Sequence, residues 1–166
     1  MSLRFPCVVL VGALLQAGCG PASEEPGDRL GLEVFMSRAV ADELGAFQIV
    51  VLPEGRSRRC ADLQRTCLNQ SVKSSEPLVI ESAEGKTGRA LIFPSQLSGG
   101  NQELGVKMPV GRNYLLYIEA LSRSTPPRLL GSSCNYVEAV NGTDNGMVLT
   151  QYINLTSVEC NPTFPP

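Results

Sequence analysis

The 166-residue chain contains no histidine and no tryptophan. Without histidine there is no Ser-His or Cys-His nucleophile pair, no His-ligated zinc and no imidazole general base. Without tryptophan, and with only five Phe and four Tyr scattered along the chain, there is no sugar-stacking platform. Positive charge is not in excess either: 14 Lys and Arg stand against 16 Asp and Glu, a formal net charge of -2. A nucleic-acid binder normally carries a basic field, so that class is excluded as a partner. No apolar run approaches the roughly 20 residues that cross a bilayer as a helix. No sustained helical period and no internal repeat are visible.

What is present begins with a leader. Arg4 gives a short positive start, and Cys7 to Ala17, CVVLVGALLQA, is the length of a signal-peptide h-region. It ends in Leu15-Gln16-Ala17-Gly18-Cys19. Small residues directly before a cysteine resemble the lipobox of bacterial lipoproteins, with Gln16 where that family prefers Leu and Leu15 one position further back. The resemblance implies cleavage before Cys19 and diacylglycerol on its thiol, so that residues 1–18 leave as a signal peptide. Gly20 after the acylated residue implies, by the same resemblance, delivery to the outer membrane. The alternative is an ordinary secretory peptide cut after Ala17 or Gly18. Loss of the leader removes Arg4 and no acid, leaving a net charge of -3.

Residues 19–29 then form a lipidated cysteine and a Pro-, Gly- and acid-rich tether, GPASEEPGD from Gly20 to Asp28. From residue 30 to 166 the pattern is that of one domain, large enough to bury about two thirds of its surface. Leu30, Leu32, Val34 and Met36 alternate as a strand. Ser37 is placed to cap a helical turn that ends at Gly45. Phe47, Ile49 and Val51 alternate with Val50 and Leu52, so both faces of that strand are apolar, as in a central strand. Leu78–Ile80 and Ala90–Phe93 flank Glu84-Gly85-Lys86-Thr87-Gly88, a hairpin pattern. Val106, Met108 and Val110, then Gly111-Arg112-Asn113, then Tyr114, Leu116, Ile118 and Ala120 read as two strands joined by a turn. Leu129 to Cys134 is a further strand, and Tyr136–Val140 and Met147–Leu155 flank Asn141 to Gly146 as another hairpin. About seven or eight short strands with turn signals between them predict an all-β, antiparallel β-sandwich.

In residues 106–156 the Gly-Arg-Asn-Tyr turn, the Tyr-Leu-Leu-Tyr-Ile-Glu-Ala strand and Leu-Leu-Gly-Ser-Ser-Cys134 resemble small secreted bacterial lipoproteins. Their folded part is similar in pattern to immunoglobulin-like, transthyretin-like and carboxypeptidase-regulatory sandwiches. The resemblance implies a fold and no catalytic residue, because such sandwiches host many functions.

Six cysteines point to an oxidising compartment. With Cys7 in the leader and Cys19 acylated, as the lipobox resemblance implies, Cys60, Cys67, Cys134 and Cys160 are expected to form the disulfide framework. Four cysteines allow three connectivities, and spacing alone does not choose among them. The favoured pairing is Cys60–Cys67, a short closure, with Cys134–Cys160 tying the tail to the sandwich. The loop from Pro53 to Leu68 concentrates Arg56, Arg58, Arg59 and Arg65, a candidate anion-binding site for carboxylates or phosphates.

Other motifs resolve into ordinary structure. Gly85-Lys86-Thr87 lacks the glycine a phosphate loop requires upstream, where Ile80 stands. Asn141, Asp144 and Asn145 offer one carboxylate, too few for calcium, and Asn-Gly turn chemistry explains them. The sequons at Asn69, Asn141 and Asn154 are chance in the bacterial setting that the lipobox resemblance implies. No metal or cofactor is implied. The expected function is a membrane-anchored, non-catalytic module of the cell envelope, held by its N-terminal lipid, with an envelope protein or anionic glycan as partner. The alternative is a small envelope hydrolase using Ser82 with Lys86, or the carboxylates of Glu81 and Glu84; a catalytic lysine would need burial to lower its pKa.

Overall fold

The computed structural model describes residues 28–97, 100–109, 111–140 and 147–164. The leader, Cys19 and the Asn141–Gly146 turn lie outside the described residues. Ten strands are formed among the described residues: β1 (Asp28–Phe35), β2 (Leu44–Leu52), β3 (Ile80–Ser82), β4 (Thr87–Gly88), β5 (Leu91–Pro94), β6 (Asn101–Met108), β7 (Gly111–Ser122), β8 (Leu129–Val140), β9 (Met147–Tyr152) and β10 (Asn154–Leu155). They make two five-stranded sheets, in the order β4-β3-β6-β1-β9 and β10-β8-β7-β2-β5. The sandwich expected from the period-two pattern is therefore present. All pairings are antiparallel except β1 with β9, which run parallel.

The alternation decides what each strand turns inward. Leu30, Leu32 and Val34 of β1, Leu104, Val106 and Met108 of β6, Phe47, Ile49 and Val51 of β2, and Tyr114, Leu116, Ile118 and Ala120 of β7 meet in one buried core between the sheets. Full burial of a side chain such as Phe47 contributes roughly 1.5–3 kcal/mol. Ser37 caps a 3₁₀ turn over Arg38–Val40, its Oγ accepting from the Ala39 N–H at 3.3 Å.

Three expected strand neighbours are different. β6 and β7 do not form a hairpin: β6 pairs with β1 and β3, whereas β7 pairs with β2 and β8 in the opposite sheet. Their inward faces line the same core from different sheets instead of lying side by side. The chain crosses between sheets at Pro109, whose ring nitrogen has no N–H to give to a ladder. Around Gly85, Ile80 and Glu81 pair with Gly88 and Thr87, but β5 leaves for the other sheet and pairs with β2. β8 and β9 likewise sit in different sheets. Only β7 and β8 form the long hairpin, closed by Ser122, which accepts the Arg128 N–H on Oγ at 2.8 Å.

β10 returns to the second sheet and lies against Gly131 of β8. A Cβ at position 131 would fall 2.5 Å from Asn154 O and 2.8 Å from Ile153 Cγ2. Gly131→Ala is therefore expected to push β10 and the following tail off the sheet, at a cost of about 1–3 kcal/mol. Thermal melting would register the loss, and limited proteolysis would show earlier cleavage after Ile153.

Candidate functional site

β7 is apolar on both faces, and the second face needs its own cover. Leu115 and Tyr117 of β7, with Val50 and Leu52 of β2, are buried under Leu63, Leu68 and Val72. Those residues belong to the segment that includes helix α1 (Cys60–Leu63) and helix α2 (Leu68–Ser71). Phe164 of the C-terminal tail packs on the same cluster. The arginine-rich segment is thus a lid over the outer face of the second sheet.

Two disulfides hold this lid, and they correct the expected pairing. Cys60 is bonded to Cys134 on β8, with Cα atoms 5.6 Å apart, and Cys67 to Cys160 in the tail, at 6.0 Å. The short Cys60–Cys67 closure does not form. Once the lid lies flat on the sheet, each cysteine of the loop meets a different anchor: the strand below it and the tail beside it. Sequence proximity favours the short closure only when the loop stands free.

Beneath the lid lies a carboxyl outside the candidate sites expected from sequence. Glu119 of β7 is fully buried. Its Oε1 accepts the Leu68 N–H at 3.0 Å, and its Oε2 accepts from Gln48 Nε2 at 2.7 Å. Gln48 Nε2 also donates to Pro162 O at 3.0 Å. One carboxyl therefore connects the sheet to α2 directly and, through Gln48, to the tail. Burial pushes its pKa up to about 7, although the hydrogen bonds from Leu68 and Gln48 pull the other way. The neighbouring Tyr117 hydroxyl donates to Leu63 O and shares a hydrogen bond with Ser132 Oγ, each at 3.3 Å. Burial raises its pKa to about 12. The signal for Glu119 was available in the alternation: its companions on that face, Leu115, Tyr117 and Leu121, are all apolar, so the face had to be covered.

Further polar contacts fasten the lid at its rim. Asn69 Nδ2 donates to Asn161 O at 3.0 Å and Thr163 O at 2.7 Å. Tyr136 Oη donates to Arg58 O at 2.7 Å, and Gln64 Nε2 to Ser132 Oγ at 3.3 Å.

The four arginines are each committed to a carboxylate. Arg56 pairs with Glu138 at 2.7 Å, Arg58 with Glu76, Arg59 with Asp62 at 2.9 Å, and Arg65 with the same Asp62 at 3.8 Å. Glu76 is held below the usual carboxylate range, first by the Lys73 N–H and then by Arg58. The pairs at Arg56, Arg59 and Arg65 are solvent-exposed and individually weak.

Ser82, Glu81, Glu84 and Lys86 sit together on the β3–β4 turn. Ser82 is buried and its Oγ accepts the Lys86 backbone N–H at 3.2 Å, while Lys86 itself is exposed. Glu81 is ion-paired with Lys107. Glu84, also exposed, is held below its ordinary pKa by a hydrogen bond from Ser82. The turn borders a groove of about 650 Å³ lined also by Leu91, Phe93 and Gln102. Ser82 is thus engaged by backbone, and Glu81 by a lysine from the neighbouring strand.

Among the described residues no three His, Cys, Asp or Glu side chains converge as a metal site, and no helix is long and apolar enough to cross a membrane. No family model, no curated protein and no solved structure matches the chain.

Proposed function

We propose that this chain is a cell-envelope lipoprotein, anchored to the outer membrane through an acylated Cys19, whose sandwich is a non-catalytic binding or structural module. The observation that carries this reading is the pair of disulfides closing 74 and 93 residues of chain. Both fasten the lid to the rest of the domain, and cross-links of this kind form and persist in an oxidising compartment. The apolar leader ending at Ala17-Gly18-Cys19 supplies the route to such a compartment and the acyl acceptor. The exposure of Lys86 and the ion pair of Glu81 with Lys107 support the non-catalytic reading.

An anionic glycan approaching Arg56, Arg58, Arg59 and Arg65 would have to displace Glu138, Glu76 and Asp62 from them. We therefore place the envelope-protein or glycan partner against the covered sandwich as a whole. Arg56 and Arg58 reach Glu138 and Glu76 outside the loop, whereas Arg59 and Arg65 pair with Asp62 inside it.

The anchor is tested by membrane fractionation and intact mass. Wild-type protein is expected in the outer-membrane fraction with a diacyl or triacyl mass increment on the fragment starting at Cys19. Cys19→Ser is expected to lose both the increment and the fraction. Soluble wild-type protein of unmodified mass overturns the reading.

A further inference from the structure

β9 is the terminal strand of the first sheet, and among the described residues nothing pairs with its far side. The Ile153 N–H donates to Phe35 O at 2.9 Å, so the backbone groups of residue 153 point toward β1. Backbone groups alternate sides along a strand. Gln151 and Leu149 therefore also point toward β1, and the N–H and C=O groups of Val148, Thr150 and Tyr152 point away from it. Edge strands of this kind normally carry a lysine, a proline or a bulge that blocks further pairing. Met147 to Tyr152, MVLTQY, has no charge and no proline, and its register with β1 runs without a shift.

The side chains on this edge are as open as the backbone. Val148 is 58% and Tyr152 66% exposed, and Leu155 of the adjacent edge strand β10 is exposed as well. Phe35 stacks on Tyr152 with ring centroids 5.3 Å apart, which holds the tyrosine ring on the outer face.

We propose that β9 is a dimerisation edge, pairing antiparallel with β9 of a second copy about a two-fold axis at Thr150. A second copy fits because the strand is self-complementary about that residue. Thr150 faces its own symmetry mate as a hydrogen-bonded pair, exchanging two N–H···O bonds. Val148 of each copy faces Tyr152 of the other, exchanging four more. All three outward-facing residues satisfy both backbone groups, and two aromatic–β-branched cross-strand pairs form on one face. One-residue slippage would set inward-bonded residues against the partner, so the register is specified by the same alternation. The interface is isologous and closes at two copies. This inference does not depend on the lipid anchor.

Sedimentation equilibrium of the mature chain carrying Cys19→Ser, from micromolar to near-millimolar protein, tests it. The chain is expected to populate a dimer, and Thr150→Val to retain it. Thr150→Lys, which sets two like charges directly opposite each other, is expected to sediment as a monomer throughout while keeping the far-UV spectrum and melting temperature of the parent. Independently of any variant, the amides of Val148, Thr150 and Tyr152 are expected to gain protection from hydrogen exchange as concentration rises. A parent chain that is monomeric at every concentration overturns the proposal. So does a dimer that forms without protecting those three amides, or one that survives Thr150→Lys.

Discussion

Replacing Cys67 and Cys160 by serine is expected to cost roughly 4.5 kcal/mol of folding stability. The cross-link closes 93 residues, and the chain-entropy model assigns about that much to a loop of this length. Cys60 with Cys134 closes 74 residues and is expected to contribute nearly as much. The effects should fall short of additive, because the second bond restrains a chain already shortened by the first. Domains of this size are stable by only about 5–15 kcal/mol, so either loss removes a large fraction of the total. Guanidinium denaturation of the oxidised wild type and of Cys67→Ser/Cys160→Ser measures it, and a difference below about 1 kcal/mol would contradict the cross-linked lid. Peptide mapping without reduction checks the pairing directly. Linked peptides holding Cys60 with Cys134 and Cys67 with Cys160 are expected, and a Cys60–Cys67 peptide would refute it.

Wild-type stability is expected to fall as pH rises, because of Glu119. The folded protein holds this carboxyl at a pKa of about 7, raised from 4.5 by burial. The folded state thus binds a proton that the unfolded chain has released between those two values. The contribution is fully present below pH 4.5, declines through the interval and is gone above 7. The shift corresponds to a loss on the order of 2–3 kcal/mol between mildly acidic and mildly basic solution. Other carboxylates, such as Glu76 with its lowered pKa, act in the opposite sense at lower pH. Comparison with Glu119→Gln therefore isolates the effect, since the variant keeps an acceptor for the Leu68 N–H and cannot titrate. The wild-type-minus-variant difference, from urea denaturation at several pH values, should slope downward between pH 4.5 and 7 and be flat outside it. A flat difference throughout would show that water reaches the carboxyl and that the lid does not seal. Glu119→Ala is expected to be worse than Glu119→Gln at every pH, because it strands the Leu68 N–H without a partner.

Much of the fold could be read from residues alone because strand period is a local property. Leu30, Leu32 and Val34 face inward as their alternation requires, and β2, apolar on both sides, is buried on both. The Ser37 cap forms where a hydroxyl precedes a short helical turn. Alternation, however, states which way a side chain points and is silent on which strand lies alongside. The segments ending at Met108 and beginning at Gly111 look like hairpin partners because few residues separate them. Their inward faces are both strongly apolar, and placing them in opposite sheets lets both bury in the one core between the sheets.

The sequence by itself determined a β-sandwich with a doubly apolar central strand, a four-cysteine framework and an arginine-rich loop. The tertiary structure alone decided which sheet each strand joins, which cysteines meet, which acids take up the arginines, and that Glu119 is sealed from water. Those outcomes depend on contacts between residues tens of positions apart. Cys60 finds Cys134, and Leu68 finds Glu119, only because the lid must cover the second apolar face of β7. Local pattern reveals that such a face exists, while the chain's return path determines what covers it.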